Sequence, residues 1–181
     1  MPKFHATVVK GISVFVTIAI IIYFLGGVIN QPLLLAAICS TTFAIYFRPR
    51  AKTSQLRNVF GGHMVSALSG FILVYLFSGF LAGQITDLQN MILLGAMSVT
   101  VASMLMEMFD VEHPPAAGTA LTFAFSVKEA HIIGVLFVAL AAVVLISLLR
   151  GAIQIIEKKV IKTEHKIANW IEEEIFEHVK K

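Results

Sequence analysis

Two stretches of this chain gather side chains that could hold an ion or pass a proton. One is Gln55-Leu56-Arg57-Asn58-Val59-Phe60-Gly61-Gly62-His63, and the other is Asp110-Val111-Glu112-His113-Pro114-Pro115-Ala116-Ala117-Gly118-Thr119-Ala120-Leu121. Each sets a histidine at the head of an apolar run. Histidine changes charge nearest neutral pH, and either ring nitrogen can enter a hydrogen bond. Paired prolines suit the first turn of a helix, where their missing N–H groups would have no partner anyway. Pro114 disfavours helical geometry at His113, which puts His113 at the N-cap. The N–H groups of Ala116 and Ala117, with the positive end of a helix dipole behind them, would then form a site for a small anion. Gly61-Gly62 would allow the same close backbone approach ahead of the other run. Small and hydroxyl residues follow both: Ser66, Ala67 and Ser69 in one, Gly118, Thr119 and Thr122 in the other. Such residues suit tight helix packing or a polar lining.

The elements that must position these residues are membrane spans. Of 181 residues 57% are hydrophobic and only 14% charged, and no Lys, Arg, Asp or Glu occurs from Gly11 to Phe47. A soluble domain carries nearer a quarter charged residues and could not keep such a surface in water. Apolar segments fall at about 11–30, 32–47, 62–82, 90–109, 114–127 and 130–149. At 1.5 Å rise per residue, 114–127 covers only roughly 21 Å, so it is expected to be short or re-entrant. With the N-terminus inside, six crossings put Lys3, Lys10, Arg48, Arg50, Lys52, Arg57 and the basic residues from Arg150 onward on one side, and only Lys128 on the other. The positive-inside rule makes that side, with both termini, cytoplasmic. The expected fold is therefore all-α: a polytopic transmembrane bundle of about six membrane segments over 1–150, followed by a cytoplasmic amphipathic helix over 151–181. In that tail Ile153, Ile156, Val160, Ile167, Trp170, Ile171, Ile175 and Val179 recur at helical steps among Lys and Glu. The helix lies on the bilayer surface, folds under its own bundle, or pairs with another subunit.

Plainer roles exist for every one of these features. A double proline is commonly a structural helix start, a lone histidine near an interface is commonly a hydrogen-bonded cap, and Ser or Thr in a span commonly bonds its own backbone. Arg57 could pair with Glu107 or Asp110 simply to tie helix ends together. The coincidence of an Arg, an Asn, two His and two helix starts on one side favours function, because ionisable groups in a membrane are costly to keep. The second span adds Ser40-Thr41-Thr42 and the fourth adds Ser98, Thr100 and Ser103. Ala37-Ile38-Cys39-Ser40-Thr41 also echoes Ala96-Met97-Ser98-Val99-Thr100, a pattern expected of an internal parallel repeat.

The segment His113-Pro114-Pro115-Ala116-Ala117-Gly118-Thr119-Ala120-Leu121 resembles the signature of the HPP family of integral membrane proteins. Arg57-Asn58-Val59-Phe60-Gly61-Gly62-His63, with Ser66, Ala67 and Gly70, resembles that family's second signature, and Pro32-Leu33-Leu34-Leu35-Ala36-Ala37 its third. The resemblance runs from about residue 10 to 150. It departs from the family pattern at Ile38-Cys39-Ser40-Thr41-Thr42, where members tend to read Phe-Gly-Ala-Ser-Ala, and at Ala116-Ala117-Gly118, where the glycine is displaced. The resemblance implies a transport role, since plastid and cyanobacterial members are associated with nitrite.

The expected function is passage of a small monovalent anion, nitrite-like, across a prokaryotic plasma membrane. Arg57, Asn58 and His63 would attract it, the helix starts at Gly61-Gly62 and at His113-Pro114-Pro115 would offer N–H groups, and Ser40, Thr41 and Thr119 would line the dehydrated section. The alternatives are a proton, cation or metal pathway using Glu107, Asp110, Glu112 and His113, or a membrane anchor or sensor acting through the tail. No catalytic constellation stands out, so no enzyme is expected, and neither a cofactor nor a resident metal. Cys39 is the only cysteine, which leaves no intramolecular disulfide and no cysteine-cluster metal site. The expected partners are the lipid bilayer, a small inorganic anion and further copies of the chain. Nucleic acid is not among them, because the basic residues flank spans.

Overall fold

The computed structural model describes residues 2–25, 32–81, 86–125, 141, 143–151 and 155, with the backbone alone at 2–6, 25, 78, 80, 81 and 124. Every regular element among them is helical. In chain order these are α1 (Pro2–Leu25), α2 (Pro32–Phe47), a 3-10 turn (Lys52–Ser54), α3 (Leu56–Leu81), α4 (Asp87–Met108), a second 3-10 turn (Pro114–Ala116) and α5 (Ala117–Phe125). Residues 143–151 are also helical. Stretches in α1 (Thr7–Phe24), α3 (Leu56–Phe77) and α4 (Asp87–Met108) are long and apolar enough to cross a membrane, and α2 is a shorter apolar helix. α5 is described for nine residues, Ala117–Phe125, and the far end of the segment expected to be short lies outside the described residues. The chain falls into two compact units, Met1–Ser147 and Leu148–Lys181. Most of the expected sixth span and of the amphipathic tail lies outside the described residues.

Within the first unit α5 packs against α2, α3 and α4, and α1 packs on α2. The close approach of α5 to α3 and to α2 depends on missing side chains. A Cβ at Gly70 would lie 2.8 Å from the carbonyl oxygen of Ala120, and one at Gly118 would lie 3.0 Å from the Cβ of Ala37. Small residues at the contact let the backbones meet, as expected where lipid supplies no hydrophobic drive between helices. The large apolar side chains Phe15, Tyr23, Phe24, Ile72, Tyr75 and Leu88 remain exposed. On a helix of this length and hydropathy, such a surface suits lipid rather than water.

Local sequence fixes both ends of α4. Thr86 opens it with a capping box, accepting from the Gln89 N–H while its own N–H donates to the Gln89 side chain. At the other end Asp110 takes a positive φ of 57°. The Asp110 N–H donates to the Glu107 carbonyl, and the Val111 N–H donates to the Met106 carbonyl at 2.9 Å. That is a Schellman closure with aspartate where glycine is usual. It folds Val111 back onto Met106, and the two share a buried cluster with Ala116. The chain is thereby delivered to His113 and the prolines.

Candidate functional site

The site forms where α2, α3, α5 and the two 3-10 turns converge. Buried hydroxyls in these helices mostly bond their own backbone: Thr42 donates to the Ile38 carbonyl at 3.0 Å, Ser69 to the Ser66 carbonyl at 3.1 Å, and Thr122 to the Gly118 carbonyl at 2.8 Å. Two hydroxyls bond the histidine rings instead. Thr41 Oγ1 lies 3.0 Å from His63 Nε2 and 2.9 Å from His113 Nε2, so one hydroxyl is shared by both rings. Thr119 Oγ1 lies 2.8 Å from the remaining nitrogen of His63, Nδ1. The remaining nitrogen of His113, Nδ1, donates to the main-chain carbonyl of Thr53 at 2.6 Å. The ring centroids are 5.4 Å apart. Thr41, His113 and Thr119 are 0% exposed and His63 1%. Buried polar groups are costly without partners, and each ring nitrogen here has one.

The helices bring these groups together for local reasons. His63 stands seven residues beyond Leu56, about 10 Å inside the start of α3. The loop carrying His113 is clamped to α3 by Asn58, whose Nδ2 donates to the Glu112 carbonyl at 3.2 Å. It then lies over two glycines. A Cβ at Gly61 would lie 2.7 Å from Val111 Cγ1, and one at Gly62 would lie 2.7 Å from His113 Cβ and 3.2 Å from the Val111 carbonyl oxygen. Val111 and His113 occupy the space that larger residues would fill.

Two sequence expectations change here, and a third holds. Gly61 and Gly62 do not begin a helix, because α3 starts at Leu56; they are interior residues whose bare faces receive the chain rather than an anion. The N–H groups of Ala116 and Ala117 are already used. Ala116 donates to the His113 carbonyl at 2.8 Å, and Ala117 donates to the carbonyls of Pro114 and Pro115. His113 does take the N-cap position, but without a side-chain cap bond, since its ring is held by Thr53 and Thr41.

Among the other expected site residues, Ser40 is exposed and stands apart from the cluster, Pro114 is exposed and Pro115 half-buried. Arg57 is exposed at the rim, with Nη1 3.4 Å from Asp110 Oδ2. Lys52 also pairs with Asp110. The hydrogen bond and charge of Lys52 hold the Asp110 carboxyl below its ordinary range, and Asp110 holds the Lys52 ammonium above its own. Glu107, Asp110, Glu112 and His113 do not converge: the acids are exposed and the imidazole turns inward. Among the described residues no group of three or more His, Cys, Asp or Glu could hold a metal. The echo between α2 and α4 does not extend to the site either, since Thr41 is buried in it while its counterpart Thr100 is exposed. The carbonyl of Thr53 and the packing role of Val111 had no signal in the sequence, because neither depends on a distinctive side chain.

A helical bundle with several apolar spans around a buried imidazole–hydroxyl cluster is a polytopic membrane protein. The family model described as HPP, transmembrane region, matches residues 1–164, and the chain belongs to that family. The match begins before residue 10 and passes the expected limit at 150. Neither a curated protein nor a solved structure matches the chain.

Proposed function

We propose that this protein transports a small monovalent anion, nitrite-like, across a prokaryotic plasma membrane. The carrying observation is the chemistry of the interior. Among the described residues every buried polar side chain is a hydroxyl, an amide or an imidazole, and none is a carboxylate. A cation entering that interior would meet no counter-charge, whereas an anion would meet groups that can donate to it. In the closed arrangement the rings and hydroxyls satisfy one another. An anion enters by replacing Thr41 Oγ1 as the shared partner of His63 and His113. Lys52, Arg57, Arg48 and Arg50 supply positive charge at the same rim, offset in part by Asp110. Following the positive-inside rule, that rim and both termini are cytoplasmic. We further propose that copies of the chain associate in the bilayer, to be checked by light scattering of the detergent-solubilised protein.

The test is nitrite entry into proteoliposomes, beside chloride, nitrate and formate, with empty liposomes subtracted. Saturable nitrite entry that is lost in a His63→Ala, His113→Ala variant supports the proposal. Absence of nitrite entry above empty liposomes, with the protein folded and inserted, refutes it.

A further inference from the structure

The cluster has a polarity. A carbonyl oxygen can only accept, so His113 Nδ1, 2.6 Å from the Thr53 carbonyl, must carry a proton. In the neutral ring His113 Nε2 is then bare and accepts from the Thr41 hydroxyl at 2.9 Å. Thr41 has one proton to give, so across the 3.0 Å contact with His63 it must accept, which places a proton on His63 Nε2. His63 Nδ1 is then bare and accepts from Thr119 at 2.8 Å. One backbone carbonyl thus orients four consecutive hydrogen bonds: Thr119 to His63, His63 to Thr41, Thr41 to His113, and His113 to Thr53. They join α5, α3, α2 and the loop behind the rim.

We propose that Thr119, His63, Thr41 and His113 form a proton relay that runs from the interior of the bundle to the Lys52–Ser54 turn and moves a proton in step with the transported ion. A proton arriving at Thr119 Oγ1 displaces that hydroxyl's own proton to His63 Nδ1. His63 passes its Nε2 proton to Thr41, and Thr41 passes its proton to His113 Nε2. His113 then carries a proton on both nitrogens. It releases the Nδ1 proton to water at the rim as the bond to Thr53 opens. One proton enters and one leaves, and each donor along the chain is left with the number it began with. Ring and hydroxyl reorientation afterwards restores the starting order.

The surroundings suit a relay rather than a fixed charge. α3 contributes Arg57, the first turn Lys52, and α4 with its loop Glu107, Asp110 and Glu112, all exposed at the rim end. α2 contributes Cys39, half-buried, and Tyr46, buried with its hydroxyl 3.0 Å from Thr17 Oγ1, and α5 contributes no titratable residue. The four bonds to the two rings come from hydroxyls and a carbonyl, so no carboxylate traps the proton on either imidazole. The relay deepens the anion proposal and rests on it for the identity of the ion carried alongside; the two alternate, the proton passing while Thr41 bridges the rings and the anion passing when Thr41 is displaced. A monovalent anion moving with one proton crosses without net charge.

The test uses the intact protein in liposomes with a pH-sensitive dye inside and nitrite assayed in the same vesicles. Two drives are applied separately: a nitrite gradient, and a potassium diffusion potential set with valinomycin. Thr41→Val removes the shared hydroxyl at nearly constant volume, Thr41→Ser keeps it, and Thr53→Ala leaves the accepting carbonyl in place. Under the nitrite gradient, proton movement above empty liposomes is expected in the wild type, T41S and T53A, with a loss of at least about tenfold in T41V; the diffusion potential should drive little, because the coupled pair carries no net charge. If T41V does not fold, Thr119→Val cuts the chain at its inner end and carries the same expectation. Proton movement in the folded hydroxyl-less variant equal to wild type overturns the relay, as does nitrite entry without proton movement, which leaves the anion proposal standing. Potential-driven proton movement without nitrite entry overturns the coupling of proton to ion and with it the nitrite proposal. No movement of either species overturns both.

Discussion

Replacing Gly62 with alanine should destabilise the protein, although an alanine inside a helix ordinarily stabilises it. The helical gain from Gly to Ala is about 1 kcal/mol. Against it, the new methyl would lie 2.7 Å from His113 Cβ, 3.2 Å from the Val111 carbonyl oxygen and 3.4 Å from Met106 Sδ. The first two atoms cannot swing away. His113 Cβ is fixed by the prolines that follow it and by ring bonds to Thr53 and Thr41, and the Val111 carbonyl is backbone behind the Schellman closure. Overpacking of a fixed contact costs about 1–3 kcal/mol, and loosening the His113 bonds costs about 1 kcal/mol more. The net expectation is a loss of about 1–3 kcal/mol, or a fall in melting temperature of roughly 3–10 °C for a chain of this size. Gly79 is the control. A Cβ there meets nothing within 4 Å, so Gly79→Ala should be neutral or slightly stabilising. Thermal unfolding in detergent, followed by helical circular dichroism, compares the three proteins. A Gly62→Ala protein as stable as Gly79→Ala would show that the His113 loop does not rest on α3 as described.

Further outcomes are expected elsewhere in the site. Asn58→Ala removes the clamp on the Glu112 carbonyl and should cost about 1–2 kcal/mol, read in the same melts, with a parallel fall in transport. Ser40→Ala should leave nitrite entry unchanged, because Ser40 is exposed outside the cluster; a loss equal to that of a cluster variant would put Ser40 on the pathway after all. Asp110→Asn should lower stability across the neutral range only. The Asp110 carboxyl is held below its ordinary range, so its contribution is present above about pH 4 and disappears as pH falls through its lowered value. The Lys52 ammonium is held above its ordinary range, so its contribution is present below about pH 10 and disappears as pH rises through its raised value. Melts of both proteins across pH should converge at the two extremes; a difference persisting in strong acid would assign the effect to the backbone at Asp110 instead.

The class of the protein is decided by the sequence alone. A charge-free run from Gly11 to Phe47 cannot be a water-soluble surface, and only helices of sufficient length satisfy their own backbone in lipid. The same arithmetic predicts a short segment after Pro114-Pro115, whose far end lies outside the described residues. The histidines, Thr41 and Thr119 could be named because polar groups within spans are rare and costly. Their arrangement could not. Thr41 and Thr42 are adjacent hydroxyls of one helix, and a rotation of about 100° between neighbours sends Thr41 to the two rings while Thr42 bonds the Ile38 carbonyl. Likewise Gly61-Gly62 looks like a helix start in the sequence, yet the helix begins at Leu56, because absence of a side chain serves a turn and a close helix contact equally well. Whether Ala116 and Ala117 keep free N–H groups depended on the 3-10 turn that consumes them. Local composition therefore determines that this chain enters a membrane and which polar residues it carries there. The tertiary structure alone decides which of them meet, since packing joins residues 41, 53, 63, 113 and 119 across distances in sequence that no local preference spans.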